Sequence, residues 1–168
     1  PSGSEDAVIE IIETATGKAL PERIDRAPSG SPNWLPDSSA FFFNRLAVGA
    51  KAGTTNYFKD SVCWLHKLGT DAKIDIKVLA RGQFDEVAVQ DIEFPLVYTQ
   101  PGSQFALGIL IAGVQNELTL YVNTLEATAS GRGGWKKICG AENKVTNLAL
   151  CADDIYLVTY KDAPRYKV

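Results

Sequence analysis

The clearest pattern along the chain is an apolar segment, a polar turn and a second, strongly apolar segment. In Trp34 to Arg45 the turn Pro36-Asp37-Ser38-Ser39 is followed directly by Phe41-Phe42-Phe43. Proline fixes its own φ angle, and aspartate and serine hydrogen-bond the nearby backbone, so this tetrapeptide predicts a tight turn. Three consecutive phenylalanines favour a strand over a helix. The whole unit is therefore predicted to be strand, turn and strand.

Two looser copies of this unit follow. Leu96 to Ala112 contains the turn Gln100-Pro101-Gly102-Ser103, and Val145 to Tyr160 contains the turn Ala152-Asp153-Asp154. The turns recur at intervals of roughly 50 to 65 residues, which is typical of four-stranded propeller blades with some long loops. The repeat is weak by identity and clearer by pattern.

The first apolar segment, Ala7 to Glu13, has two interpretations. Ser4 is a possible N-cap for a helix, with Glu5 and Asp6 in its first turn. The β-branched residues and the turn-forming segment Thr14 to Gly17 favour a strand instead. We favour the strand, and the helix remains the alternative.

The rest of the chain reads as short strands and loops, without a long amphipathic helix. Val87 to Phe94 alternates apolar and polar residues as a half-buried strand does. The count of about a dozen short strands predicts an all-β fold, either a sandwich or a propeller. Further strands are predicted at Val62 to Lys67, Asp75 to Leu79, Leu118 to Leu125, Trp135 to Cys139 and from Arg165 onward, with loops at Arg45 to Asp60 and Glu126 to Gly134.

Composition and charge narrow the class of protein. The 168 residues suffice for one domain, covering residues 1–168, and the 45% apolar and 22% charged content is ordinary for a soluble protein. A net charge of −3 gives no basic surface for nucleic acid or anionic lipid. The longest uncharged apolar run, Phe105 to Val114, is about half a membrane span. We therefore expect neither nucleic acid nor membrane as a partner.

The cysteines and the missing methionine suggest the origin of the chain. Cys63, Cys139 and Cys151 are odd in number and lack C-x-x-C spacing, which disfavours a disulfide framework or zinc site and favours a cytoplasmic location. The chain contains no methionine and begins at Pro1. Removal of an initiator methionine before Pro1 is one explanation, and an internal segment of a longer protein explains the same facts more simply, so we expect the latter.

Catalytic candidates are few. The Gly-x-Ser-x-Gly elbow of α/β-hydrolases does not occur in the sequence. His66 is the only histidine and lies beside Trp64 and Leu65, where a structural imidazole is a better interpretation than a general base. A self-contained triad is not expected, so we assign no catalytic residue to this chain.

The remaining polar candidates are also better explained structurally. Asp37, Asp153 and Asp154 are interpreted as solvated turn residues rather than acid-base or metal carboxylates. Cys63 is interpreted as a small buried hydrophobe. A single histidine and scattered cysteines predict no metal site, and we expect no cofactor. The large rings form either a ligand platform or, in the favoured interpretation, core between sheets: Trp34, Phe41, Phe42, Phe43, Trp64 and Trp135.

Four segments, in order, resemble the prolyl oligopeptidase family of serine peptidases (S9 type). Ser2 to Pro21 is similar to that family's segment before the blades, and Trp34 to Arg45 resembles its tryptophan-aspartate-phenylalanine turn. Tyr57 to Asp75, with His66-Lys67-Leu68-Gly69-Thr70, resembles a blade segment of the family, and Thr159 to Val168 resembles a blade ending. The resemblance covers essentially the whole chain.

This resemblance implies a partial β-propeller of roughly three to four blades, taken from a seven-bladed ring. In the family, the propeller covers a C-terminal α/β-hydrolase domain that carries the triad, admits only short peptides, and the hydrolase cleaves after proline. The implied partners are that domain and short proline-containing peptides, and the segment alone is expected to be inactive. Edge-to-edge self-association of two such segments is a further expectation.

The resemblance also assigns residues. Phe42 matches a substrate-facing aromatic position, whereas the family's substrate-binding arginine has no counterpart in Leu110-Ile111-Ala112-Gly113. The alternative function is a stand-alone β-rich module that binds a peptide or carbohydrate without enzymatic activity. Structural roles are predicted for Trp34, Asp37, Phe41, Phe43, His66, Gly69, Trp135, Asp162 and Pro164.

Overall fold

The first complete sheet is built around the phenylalanine run. The structure, a computed structural model, describes residues 7–28 and 32–168. Within them, β3 (Asn33–Trp34), β4 (Ala40–Arg45), β5 (Val62–Lys67) and β6 (Ile76–Leu79) form an antiparallel sheet in chain order. Successive side chains on a strand point to opposite faces, so the aromatic run of β4 supplies large rings to both faces of this sheet.

A second sheet repeats the arrangement. It contains β7 (Glu93–Thr99), β8 (Phe105–Ala112), β9 (Thr119–Thr124) and β10 (Lys136–Cys139), again in chain order. The β7–β8 hairpin is paired without a break from Glu93↔Ala112 to Thr99↔Ala106. Its turn is the predicted Gln100 to Ser103 segment, so this copy of the repeat is confirmed.

Two-stranded sheets flank the complete ones. One pairs β1 (Ile9–Ile12) with β2 (Ala19–Ile24), and the other pairs β11 (Val145–Cys151) with β12 (Asp154–Thr159). We call the four-stranded sheets blades and the two-stranded sheets half-blades. The all-β prediction and the strand at Ala7 to Glu13 are confirmed, and the blade count is two blades and two half-blades.

Apolar clusters fill the space between neighbouring sheets, and we call these interfaces seams. Seam 1, between the β1–β2 half-blade and the first blade, buries Ile11, Ile24 and Phe41. Seam 2, between the two blades, is the largest cluster and includes Phe42 and Trp135. Seam 3 packs the second blade against the β11–β12 half-blade through Leu120, Cys139 and Val145. The core thus lies between sheets, as it does in a propeller.

The prediction of a strand at Val87 to Phe94 was wrong for residues 87–92. Val87 and Val89 are buried at 3% and 6% exposure, while Ala88 and Gln90 face solvent, but this stretch pairs with no strand. It is part of the connection from β6 to β7, and it inserts both valines into seam 2. The alternation of apolar and polar residues therefore reflects burial of one side of the connection and not pairing in a sheet. The strand β7 begins only at Glu93.

Two further boundaries differ from the prediction. The loop expected at Glu126 to Gly134 contains a short helix, α1 (Leu125–Ala129), because Thr124 caps it by accepting a hydrogen bond from the Ala127 amide at 3.2 Å. The strand expected from Arg165 onward is only an isolated antiparallel bridge between Thr159 and Lys167. Turn residues 161–165 leave the backbone too little extended length for a longer ladder.

The Ser2 to Asp6 part of the first motif, including the alternative N-cap Ser4, lies outside the described residues. Among the residues that the structure does describe, no helix is long and apolar enough to cross a membrane.

Candidate functional site

The hairpin between β3 and β4 is closed by Asp37. Its Oδ1 accepts hydrogen bonds from the Ser39 amide at 3.0 Å and the Ser39 hydroxyl at 2.7 Å. These bonds hold the pKa of Asp37 below its ordinary value, the backbone bond being the largest cause. These bonds close the turn that precedes the phenylalanine run, and the structural role of Asp37 stays a prediction that they support.

The aromatic residues of β4 divide between two seams. Phe41 and Phe43 are buried in seam 1, where their ring centroids lie 5.8 Å apart. The Trp34 ring lies 4.9 Å from Phe41 and remains 38% exposed. Phe42 points the other way, into seam 2, and is 1% exposed. Most of the predicted aromatic set therefore forms core between sheets.

A groove of about 290 Å³ lies beside Phe42, between the first strands of the two blades. Its wall is mainly apolar, and Asn33 and Tyr98 add polar atoms at the rim. The side chain of Phe42 contributes to this wall although little of it is exposed. The substrate-facing role of Phe42 stays a prediction. The other lining residues are Pro32, Phe43, Cys63, Leu96, Val97 and Ile109.

A polar link across seam 2 shapes the same groove. The Asn33 side-chain oxygen accepts hydrogen bonds from the Thr99 amide at 2.7 Å and from the Thr99 hydroxyl at 2.6 Å. The buried Asn44 side chain donates to the Pro95 carbonyl at 3.0 Å. Sequence reasoning missed both asparagines, because a single polar residue beside an apolar run does not reveal a partner 51 or 66 positions away.

His66 is paired with a carboxylate. Its Nδ1 lies 2.8 Å from Oδ1 of Asp75, and the side chains are 0% and 1% exposed. Burial is the main cause that raises the pKa of Asp75. His66, predicted to be a structural imidazole, is thus buried against a carboxylate. Asp75 is the last residue of the segment Tyr57 to Asp75, and the sequence analysis did not single it out.

Gly69 lies in the turn between β5 and β6 with a φ of +78°, a conformation that favours glycine. Its amide donates a 2.6 Å hydrogen bond to Glu22, which belongs to β2 across seam 1.

Trp135, 3% exposed, packs against Gly108 in seam 2. The Glu86 carboxylate accepts from the Gly134 amide at 2.6 Å beside it, which lowers the pKa of Glu86.

Asp153 has a wider role than a solvated turn residue. Its carboxylate accepts hydrogen bonds from the Gln104 amide at 2.8 Å and the Ser103 hydroxyl at 3.1 Å, so the half-blade caps the turn of the neighbouring blade. Asp162, with a φ of 54°, and Pro164 lie in the exposed turn that ends with the Thr159–Lys167 bridge.

The described part of the chain brings together no hydrolytic constellation. The Nε2 atom of His66 is buried and has no hydrogen-bond partner among the described residues. No group of three His, Cys, Asp or Glu side chains within residues 7–28 and 32–168 has metal-binding geometry. Burial raises the pKa of Cys63 to about 12, so its thiol is a poor nucleophile. Ile111, within the segment Leu110 to Gly113 where the resemblance expects an arginine, pairs with Phe94 in the β7–β8 ladder. The arrangement provides a packed support and a groove.

Comparison with known proteins gives a consistent result. A family model described as "Prolyl oligopeptidase, N-terminal beta-propeller domain" matches residues 1–168. The curated protein prolyl oligopeptidase A of Amanita bisporigera is 27% identical over 158 residues, which cover 89% of this chain and 20% of that protein.

Solved structures show the same fold. A prolyl endopeptidase superposes with a TM-score of 0.79 at 19% identity, covering 99% of this chain and 23% of that chain. Prolyl oligopeptidase B from Galerina marginata, solved with a 25-residue macrocyclization substrate, gives 0.77 at 17% identity, covering 98% and 24%. Its apo form gives 0.72 at 16% identity, covering 99% and 23%. The chain thus spans about a fifth to a quarter of the length of these proteins.

Proposed function

Because the chain belongs to the prolyl oligopeptidase N-terminal β-propeller family, we propose that it is the part of a propeller that controls the access of short peptides to a hydrolase active site in another domain. The observation that carries this proposal is the match of all 168 residues to the propeller family, together with the blades and half-blades in chain order. Residues 1–168 then act as one structural unit, without catalytic activity of their own.

The partner in this proposal is a C-terminal α/β-hydrolase domain in the same polypeptide. The matched relatives are four to five times longer than the chain, which leaves room for such a domain in proteins of this kind. Control of access works by exclusion, because a ring of sheets admits a flexible peptide and rejects a folded protein. A cytoplasmic location remains part of the same proposal.

One end of the sheets is better suited to receive the hydrolase domain. The Asp60 amide donates to the Asp91 carbonyl at 2.8 Å, so the connection 46–61, which follows β4, ends beside the start of β7. Because β8 is antiparallel to β7, it finishes at this same end, where the connection 113–118 starts; we call this end the loop face. Val48 is 90% exposed on the first connection, and Val114 is fully exposed on the second. Phe58 and Ile92 add exposed apolar area beside them. Exposed apolar groups gathered at one face mark an interaction surface.

The groove beside Phe42 supports the idea that a peptide passes the propeller on its way to the active site. An apolar wall with a few polar atoms at its rim suits an uncharged peptide side chain. The segment Leu110 to Gly113 contains no arginine that could bind a peptide carbonyl or carboxylate, so selection by size and shape outweighs selection by charge in this proposal.

A stand-alone binding module is less well supported. Among the described residues, β1 pairs only with β2, and β12 pairs with β11 apart from one bridge. An evolved module protects such edges, whereas a ring segment leaves them for further strands.

The proposal is tested in a full-length protein that carries these residues, by measuring kcat/KM on a short succinyl-Gly-Pro chromogenic peptide. Val48→Asp with Phe58→Asp places charges on the loop face and is expected to lower kcat/KM severalfold, because a charge buried at a domain interface weakens closure. Ile74→Asp, 70% exposed at the opposite end of the sheets, is the matched control and should leave the value unchanged.

The 168-residue chain alone forms the second arm of the same assay and is expected to show no turnover. Turnover that copurifies with the chain and disappears when one of its own serines is substituted would contradict the proposal. Equal effects of the loop-face and control variants would contradict the assignment of the docking face.

A further inference from the structure

The His66–Asp75 pair is the most deeply buried ionisable pair in the described part of the chain. It joins β5 to the residue just before β6, and a 2.8 Å contact links Nδ1 to Oδ1. The outer atoms of both groups, Nε2 and Oδ2, are also buried and without a hydrogen-bond partner among the described residues. The Phe41 ring lies 5.4 Å from the imidazole ring, so aromatic carbon covers part of the pair.

A 2.8 Å contact between a ring nitrogen and a carboxylate oxygen needs a hydrogen between the two atoms. Two proton counts satisfy it. With a neutral imidazole and an ionised carboxylate, the pair has a net charge of −1. With one more proton, the pair is neutral overall, either as imidazolium with carboxylate or as imidazole with carboxylic acid. Because burial disfavours net charge, the count with the additional proton is favoured.

Neighbouring charges do not reverse this preference. Asp71, on the same turn, is negative and favours retention of the proton, whereas Arg45 on β4 is positive and opposes it. Glu22 of β2 contacts the turn at Gly69 and adds negative charge. Lys67 and Asp75 both line a second surface groove, distinct from the groove beside Phe42. Lys67 is exposed to solvent, which screens its charge. The Phe41 ring lies within the range at which an aromatic face stabilises a cation.

We propose that the His66–Asp75 pair is a pH-sensitive device: at neutral pH the buried pair keeps one proton more than a neutral imidazole with a carboxylate, the resulting charge neutrality holds β5 against the start of β6, and raising the pH removes this additional proton. The loss leaves a buried net negative charge and loosens the turn 68–75. That turn supplies the Gly69 amide to Glu22, so its loosening also weakens seam 1. The device acts on the stiffness of the propeller and is independent of the function proposed above.

The sign of the pH effect follows from counting protons. In the unfolded chain, histidine has an ordinary pKa of about 6.5 and aspartate of about 3.9, so above pH 6.5 the separated groups carry a net charge of −1. The folded pair then holds one proton more than the unfolded chain, and stability falls as pH rises. The burial that raises the pKa of Asp75 acts in the same direction. One additional proton corresponds to about a tenfold fall in the folding equilibrium constant per pH unit.

The test uses the fact that His66 is the only histidine of the 168-residue chain. Nitrogen NMR of ¹⁵N-labelled protein reports directly whether Nε2 carries a proton. Both forms with the additional proton have Nε2 protonated, whereas the form without it has a bare Nε2 and keeps its hydrogen on Nδ1. We expect a protonated Nε2 at pH 7.5 that becomes bare only at higher pH. A bare Nε2 at pH 7.5 in the folded chain overturns the proposal.

Unfolding equilibria between pH 6.5 and 8.5 give the second readout. The tenfold fall per pH unit should disappear in His66→Gln and in Asp75→Asn, and it should persist in Asp37→Asn, which removes an exposed turn carboxylate. A slope that is unchanged in His66→Gln overturns the proposal. If neither buried variant folds, the NMR result on the unsubstituted chain decides.

Discussion

At the scale of single residues, Gly108 shows how closely the second blade packs in seam 2. A Cβ built on Gly108 would lie 3.0 Å from the Trp135 ring and 3.3 Å from Leu79. The backbone of Gly108 has no positive φ, so close packing and not conformation requires glycine here. Trp135 therefore lies directly against Gly108, and its indole nitrogen is left buried without a hydrogen-bond partner among the described residues.

Gly108→Ala is expected to destabilise the chain by ~1–3 kcal/mol, because an added methyl group in a well-packed core forces neighbouring side chains out of place. Urea unfolding of the 168-residue chain measures the loss. Trp135→Phe is the matched partner, since the smaller ring makes room for the methyl group. The double variant should lose less than the two single variants together, and strict additivity would show that the two residues do not meet.

At the scale of elements, local chemistry predicted the strands and turns that depend on it. Asp37 and the phenylalanine run specify the β3–β4 hairpin with nearest neighbours alone, and the structure confirms it. The strand prediction was wrong at Val87 to Gln90, because a connection that is buried on one side shows the same alternation of apolar and polar residues as a strand. Only the presence of a partner strand distinguishes the two. The short helix at Leu125–Ala129 depends on the Thr124 cap. The sequence analysis predicted a loop there, because the glycines that follow favour a loop.

The candidate site was less predictable than the fold. The structural roles of His66, Gly69 and Trp135 stay predictions. Asp75, Asn33 and Glu86 were not singled out, because they act through partners that are brought close only by folding. A hydrogen bond across a seam has no periodic signature in the sequence. The groove beside Phe42 likewise depends on how two blades lie against each other, which no single segment encodes.

The attachment of the β1–β2 half-blade gives an element-scale prediction. Asp25, just after β2, forms an ion pair with Arg45 at the end of β4, and the Arg45 hydrogen bond is the main cause that lowers the pKa of Asp25. The side chain of Asp25 is 59% exposed, so the pair contributes only about 0.5 kcal/mol after solvent screening. A lowered carboxyl pKa stabilises the fold above the unfolded value and is lost as pH falls through the folded value.

Asp25→Asn should therefore be less stable than the unsubstituted chain at pH 6, and the difference should disappear as the pH falls through the lowered pKa of Asp25, below which both carry an uncharged group. Urea midpoints measured across this range provide the check. Glu10→Gln is a suitable control, because Glu10 pairs only loosely with Arg23 at 3.6 Å and both side chains are largely exposed. A difference that grows on acidification would exclude the ion pair as its cause.

At the scale of the whole molecule, the sheets form a segment of a ring rather than a closed structure. Each seam buries apolar side chains between two neighbouring sheets, whereas the outer sheets have a neighbour on only one side among the described residues. Ile12 at 61% and Tyr156 at 48% exposure lie on the strands of these half-blades. Exposed apolar residues on a strand that has one unpaired edge favour pairing with another chain.

The isolated 168-residue chain is therefore expected to self-associate through β12, and Tyr156→Lys should shift it toward the monomer, because a lysine on an edge strand opposes pairing of two copies. Sedimentation velocity over a range of concentrations measures the change. Ala15→Lys adds the same charge in the exposed β1–β2 turn, away from β12, and should leave the association intact. If both variants dissociate equally, net charge and not the edge of β12 governs association. If the unsubstituted chain stays monomeric at every concentration, the edge of β12 is protected. That result would contradict the prediction of self-association.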